Sequence, residues 1–155
     1  MKKVFLLSFF MLIATVLLAQ NEWMNQRTID PGDVAIRYKP GKILDNGQTI
    51  WICGEAVSPA RCWSFRSTDG GKTWLKGSQV SGQTAGIDAI DANTAIMGLT
   101  DGSIVKTTDA GLTWKKVHSY TGGEPWFDGV KYVTKDIVIG FGDGDASGHY
   151  YVCKS

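Results

Sequence analysis

Residues 64–76 read SFRSTDGGKTWLK and residues 104–116 read IVKTTDAGLTWKK, a gapless match at a constant offset of forty. The identical positions include Thr68/Thr108, Asp69/Asp109, Gly71/Gly111, Thr73/Thr113 and Trp74/Trp114, with Ser67 and Thr107 as the hydroxyl residues that open each motif. A period of this size makes each unit one supersecondary element, which buries its apolar face only by stacking on its neighbours. The chain must therefore build a repeated architecture.

Composition says what the unit is made of. There are 19 Gly and twelve Asp against only three Glu, so turn formers outnumber a strong helix former. Each copy of the motif follows a short apolar run: WICGEA at 51–56, AIMGLT at 95–100 and, before a third partial copy, VIGFGD at 138–143. Gly54, Gly98 and Gly140 fall at matching places in these runs, which are β-branched or aromatic in bias and read as strands. Cys153-Lys154-Ser155 lines up with Phe65-Arg66-Ser67 and Val105-Lys106-Thr107. The second unit divides into expected strands at 87–92, 94–99, 103–107 and 113–118, with Asp101-Gly102 as a tight hairpin turn. The first unit runs from about residue 34 to 77 and the third begins near Phe127; no segment carries a helical period. Four antiparallel strands in each forty-odd residues is the spacing of a β-propeller blade, so the fold class is all-β, with about three blades present over residues 33–155.

The motif Ser/Thr-x-Asp-x-Gly-x-Thr-Trp resembles the Asp-box of the BNR-repeat propellers, which include sialidases, sortilin-type receptors and the photosystem assembly factors of the Ycf48/Hcf136 group. An apolar strand, a short loop and then TTDAGLTW is most similar to the Ycf48-like repeats. The resemblance implies a propeller whose Asp-boxes lie away from the ligand face. It does not imply chemistry, because the box recurs on proteins that share no activity. Physically the box is a turn: Asp69 and Asp109 accept backbone N–H groups just ahead. Gly71 and Gly111 supply a positive φ, Thr73 and Thr113 re-enter the strand, and Trp74 and Trp114 cover it.

The N-terminus reads as an export signal. Lys2 and Lys3 precede a fifteen-residue uncharged run at 4–18, shorter than the roughly twenty residues that span a bilayer, with cleavage expected after Ala19. This places the chain outside the cytoplasm, in the cell envelope, the periplasm or the medium, with no transmembrane segment in the mature chain. Residues 20–32 follow as a separate segment. Within it Glu22-Trp23-Met24 mirrors Thr73-Trp74-Leu75, so it is expected to supply the outermost strand of a closing blade. Because closed propellers use at least about four blades, a chain of three with a third box begun at Ser155 is expected to be part of a longer propeller.

Functional residues are sought on the loops between second and third strands and between blades. These are 55–61, 77–85, 119–126 and 143–149, and the binding candidates on them are Tyr120, Glu124, Trp126, Asp143, Asp145 and His149. Asp143-Gly-Asp145-Ala-Ser147 resembles the opening half of a calcium loop, but the acid required at position twelve is Lys154, so it reads as a polar loop and no metal is assigned. Cys53 and Cys62, nine residues apart around Gly54 and Pro59, are a candidate disulfide in an oxidising compartment, with free buried thiols as the alternative. A net charge of +1 argues against nucleic acid as partner. No catalytic residue and no cofactor is assigned. The expected function is a non-catalytic module that binds a protein or a glycan. The alternative is a fragment of a sialidase-like glycoside hydrolase, for which Arg27, Arg37, Arg61 and Arg66 are the only arginines that could bind a substrate carboxylate.

Overall fold

The computed structural model describes residues 37–120, 126–144 and 150–154. The expected signal and closing strand, and the candidates Glu124, Asp145 and His149, lie outside the described residues. The rest forms three antiparallel sheets, each one blade of a partial propeller. The first comprises β1 (Arg37–Leu44), β2 (Thr49–Ala56), β3 (Arg61–Ser67) and an outer edge split into β4 (Leu75–Lys76) and β5 (Val80–Ser81), both paired with β3. The second is β6 (Thr84–Ala89), β7 (Ala95–Leu99), β8 (Ser103–Thr107) and β9 (Lys115–Ser119). The third is β10 (Phe127–Thr134), β11 (Ile137–Gly144) and β12 (Tyr150–Lys154).

Blades stack because their middle strands are apolar on both faces. Along β7 the side chains alternate with period two: Ala95, Met97 and Leu99 join Trp51, Cys53 and Cys62 of the first blade in one core. Ile96 turns the other way, to Ile104, Phe127 and Val130 between the second and third blades. Two first-blade side chains also reach across: Trp51 Nε1 donates to the Asp91 carbonyl at 3.0 Å and Arg66 Nη1 to the Ala92 carbonyl at 2.7 Å.

Both Asp-boxes form the expected turn with nearly superimposable bonds. Asp69 Oδ1 accepts from Ser67 Oγ at 2.8 Å and from the Thr73 N–H at 2.9 Å, and Oδ2 accepts from Thr73 Oγ1 at 2.6 Å. Asp109 repeats this with Thr107 and Thr113 at 2.7, 2.9 and 2.6 Å. Gly71 and Gly111 stand at φ +88° and +87°, and each donates its N–H to the opening hydroxyl. The boxes share one end of the blades with the loops between first and second strands, since Gly70 donates to Gln48 and Ala110 to Asn93.

The structure corrects the sequence reading in four places. The first strand of the second blade ends at Ala89, because Asp91 Oδ1 captures the N–H groups of Asn93 and Thr94 in a turn. Its last strand starts at Lys115, because Thr113 still belongs to the box. The three glycines are not equivalent: Gly54 faces Trp63, Gly98 faces Ile104 and Gly140 faces Cys153, a slip of one position per blade relative to the box. Register follows the buried alternation rather than a residue without a side chain, so Ile96 is the counterpart of Trp51. The proposed loops shrink as well, to 57–60 in the first blade, while Asp143 lies within β11 and β5 occupies part of 77–85.

Cys53 and Cys62 are free buried thiols, not the candidate bridge. Cys53 is paired with Ser64 and Cys62 with Glu55, so the two are diagonal neighbours on one sheet face. Diagonal positions lie roughly 7–8 Å apart, beyond the roughly 6.8 Å between Cα atoms that a disulfide spans. Burial pushes both thiols up to about 12, so little reactive thiolate forms. Alkylation of the native protein at about pH 8 should leave both unmodified, and peptide mapping should find both labelled once denaturant is added.

Hydrogen bonds from Thr73 and Thr113 first, then Ser67 and Thr107, lower Asp69 and Asp109 from the ordinary 3.8 to about 2. These carboxylates thus stabilise the fold above about pH 4, and that contribution is lost as pH falls through about 2. Melting curves taken from pH 6 downward should show this acid loss, and it should be smaller in an Asp69→Asn/Asp109→Asn protein, which starts from a lower plateau.

Candidate functional site

At the end of the blades opposite the boxes, a cleft of about 320 Å³ opens where the three inner edges meet. β1 supplies Arg37 and Lys39, β2 supplies Glu55, and Thr84 and Ala85 open β6. Trp126, Phe127 and Asp128 come from the start of the third blade. Alternation on β1 puts Arg37 and Lys39 on one face, and the antiparallel register sets Arg37 directly opposite Glu55.

The centre of this cleft is a buried carboxylate. Glu55 is 2% exposed, and its Oε1 meets Arg37 Nη2 at 2.9 Å and Lys39 Nζ at 3.2 Å. Oε2 accepts the Thr84 N–H at 3.0 Å, so an acid of the first blade closes the backbone of the second. A parallel arrangement follows one blade on. Asp88 is fully buried; its Oδ2 accepts the Tyr132 N–H of the third blade at 2.8 Å, and its Oδ1 is ion-paired with Lys42 of β1 at 3.4 Å and Lys131 of β10 at 3.9 Å. The inner strands of all three blades are thereby joined through one acid.

The rim is what a ligand would meet. Trp126 is 48% exposed and Arg37 presents a guanidinium 62% exposed, held in place by the carboxylate beneath it. Asp128 is raised by partial burial first and then by the carboxyl of Asp143, with which it shares a hydrogen bond, while a bond with the Trp126 side chain opposes this. Asp143 is also tied through its N–H to the Trp126 carbonyl at 3.2 Å. Of the sequence candidates, Trp126 and Asp143 are thus brought together. Tyr120 is half-buried, extends the β8–β9 pairing through its N–H to Gly102, and does not line the cleft.

Sequence reasoning did not single out Lys39 or Asp128; it reached Arg37 only among the arginines of the glycoside hydrolase alternative and Glu55 only as the first residue of the 55–61 loop. The available signal was a rare Glu inside an apolar strand and two cations at i and i+2 on the strand before it. The described arginines do not gather into one cluster: Arg61 lies over Trp63 at 5.4 Å, Arg66 binds the Ala92 carbonyl, and only Arg37 lines the cleft. Among the described residues no group of three or more His, Cys, Asp or Glu could hold a metal ion, and no helix is long and apolar enough to cross a membrane.

Asp-box turns on stacked antiparallel blades, with charged residues on the far rim, define a BNR-type β-propeller protein. The chain belongs to the family described as photosynthesis system II assembly factor YCF48, which it matches over residues 13–128. It is also similar to a solved structure described as YCF48 bound to D1 peptide, at 20% identity and a TM-score of 0.49, with 77% of this chain and 39% of that chain covered. This chain therefore spans less than half the length of that relative. A comparison with curated proteins finds no match.

Glu55→Gln keeps the shape but leaves Arg37 and Lys39 facing a neutral amide. It should cost about 1–3 kcal/mol, read as a lower urea midpoint with an unchanged slope. Arg37→Gln should cost less than about 1 kcal/mol, because Lys39 and the Thr84 N–H stay on the carboxylate and the guanidinium is itself largely solvated.

Proposed function

We propose that this chain is a non-catalytic, polypeptide-binding module of an exported assembly factor, and that its cleft holds an extended segment of a client protein. The observation that carries the reading is the rim, where the exposed face of Trp126 stands on the same cleft as a guanidinium prepositioned by Glu55. An indole supplies apolar contact area at low entropic cost. The free donors of Arg37 suit backbone carbonyls or a carboxylate, and its fixed position lowers the cost of ordering it on binding. Membership of a family described as an assembly factor supports a protein client over chemistry on a small molecule. Export rests on Lys2, Lys3 and the uncharged run at 4–18.

Site-specific photo-crosslinking tests this reading. With a photoreactive phenylalanine at position 126 or 37 in the full chain, irradiation in the cells of origin should give one protease-sensitive adduct, the same polypeptide from both positions. It should vanish when the other rim residue is changed, Arg37→Glu or Trp126→Ala. An adduct that resists protease but yields to glycosidases would move the site to a glycan. Turnover of fluorogenic glycosides abolished by one acidic substitution would overturn the non-catalytic reading.

A further inference from the structure

The cations of β1 share one face only because the strand is bulged. Arg37 and Lys39 are two residues apart, but Lys42 lies three beyond Lys39, an odd step that turns a side chain to the opposite face of a regular strand. The register absorbs the extra residue: Lys39 stands opposite Cys53 and Lys42 opposite Trp51, three steps on β1 against two on β2. Gly41 permits the bulge, since a Cβ there would lie 1.8 Å from the Trp51 carbonyl oxygen. Lys42 thereby returns to the face of Arg37 and Lys39, and all three reach acids there.

The inner strands β1, β6 and β10 each run from the Trp126 cleft toward the Asp-box end, with β1 and β10 both packed against β6. Along this wall the cations form two pairs. Nearest the cleft, Arg37 and Lys39 meet Glu55; farther in, Lys42 and Lys131 meet Asp88 from the two strands that flank β6. Each buried acid faces two cations, so each pair leaves one positive charge in excess, and the other acid of the cleft, Asp128, stands at the rim. Lys42 and Lys131 are 34% and 56% exposed, within reach of a ligand. Asp88 Oδ1 has no hydrogen-bond partner although both ammonium groups stand beside it, so their donors are not engaged there. Lys39 and Lys42 are two ladder positions apart, about 7 Å at the rise of an antiparallel strand, and an extended polypeptide presents side chains i and i+2 on one face at that same spacing.

We propose that the client segment is acidic, with two Asp or Glu residues at alternate positions, the first held by Arg37 and Lys39 and the second by Lys42 and Lys131. This inference rests on the reading of the cleft as a polypeptide site and adds what the client must carry. Trp126 contributes apolar contact at the mouth, and the two cation pairs supply selection. Two adjacent acids point to opposite faces of an extended chain, so only one of them meets a pair, and a basic segment is repelled at both.

Three fluorescein-labelled peptides in a Thr/Gly background, titrated into the full chain and followed by anisotropy, test the spacing. One carries two Glu separated by one residue, the second two adjacent Glu, and the third two Lys separated by one residue. The first should bind at least about tenfold more tightly than the other two, and less tightly as ionic strength rises. Lys131→Gln should weaken it about fivefold and erase its advantage over adjacent Glu, with Lys131→Arg restoring both; Lys42 stays on Asp88, so the fold survives. Lys135→Gln, at an exposed lysine paired with Asp136 beyond the end of β10, should change nothing. Equal binding of the two Glu peptides, or full affinity in Lys131→Gln, overturns the proposal. The polypeptide crosslinked at position 126 gives a second measurement: its sequence should show two acids at alternate positions within about ten residues of the attachment, the reach of roughly 33 Å of extended chain. An adduct without them overturns this proposal and leaves the polypeptide reading standing, whereas no adduct at all overturns both.

Discussion

A carboxylate buried between sheets must have its charge countered, and in this chain that requirement joins the blades to one another. Glu55 and Asp88 each stand on one blade and accept a backbone N–H from the next, at Thr84 and Tyr132. The cations that neutralise them come from the inner strands β1 and β10. An apolar interface alone tolerates sliding, because contact area changes little with a small shift. A hydrogen bond from a fixed amide to a fixed acid does not, so these two residues resist a shift of one blade along the next, and Glu55 does so from the wall of the cleft.

The repeated motif does a different job. The side-chain bonds that define an Asp-box are made within residues 67–74 or 107–114. Hence the turn repeats almost atom for atom while the interfaces do not. Trp74 closes its own turn by donating to the Gly71 carbonyl at 2.9 Å, whereas the Trp114 N–H is buried without a partner and its ring serves the joint instead. A motif shared by two units therefore speaks for the fold and says little about what the surfaces do.

That division also explains what could be read from the sequence. The box, the hairpin at Asp101-Gly102 and strand β8 at Ser103–Thr107 rest on local turn chemistry and alternation, and all three stand where the residues put them. Strand ends shifted where a side chain captured the backbone, as Asp91 does, and glycines misled the alignment because an absent side chain marks no face. The cleft was half legible. Trp126 follows a turn-rich stretch and declares itself as a loop aromatic, and Asp143 joins it through pairing of β10 with β11. Arg37, Glu55 and Thr84 come from three segments whose convergence depends on blade-to-blade geometry, which no local pattern encodes.

The two junctions between blades are held by different side chains, which bears on how such a chain avoids assembling in the wrong order. Tandem units with near-identical sequence are prone to exchange places during folding, one unit pairing with the neighbour meant for another. Here the first blade offers Trp51 and Arg66 to carbonyls at Asp91 and Ala92, and the second offers Ile96 to Phe127 and Val130 of the third. A blade set beside the wrong neighbour would leave an indole N–H or a guanidinium buried without its carbonyl. The shared turns make the units alike enough to stack, and the unlike joints give each unit an address in the row.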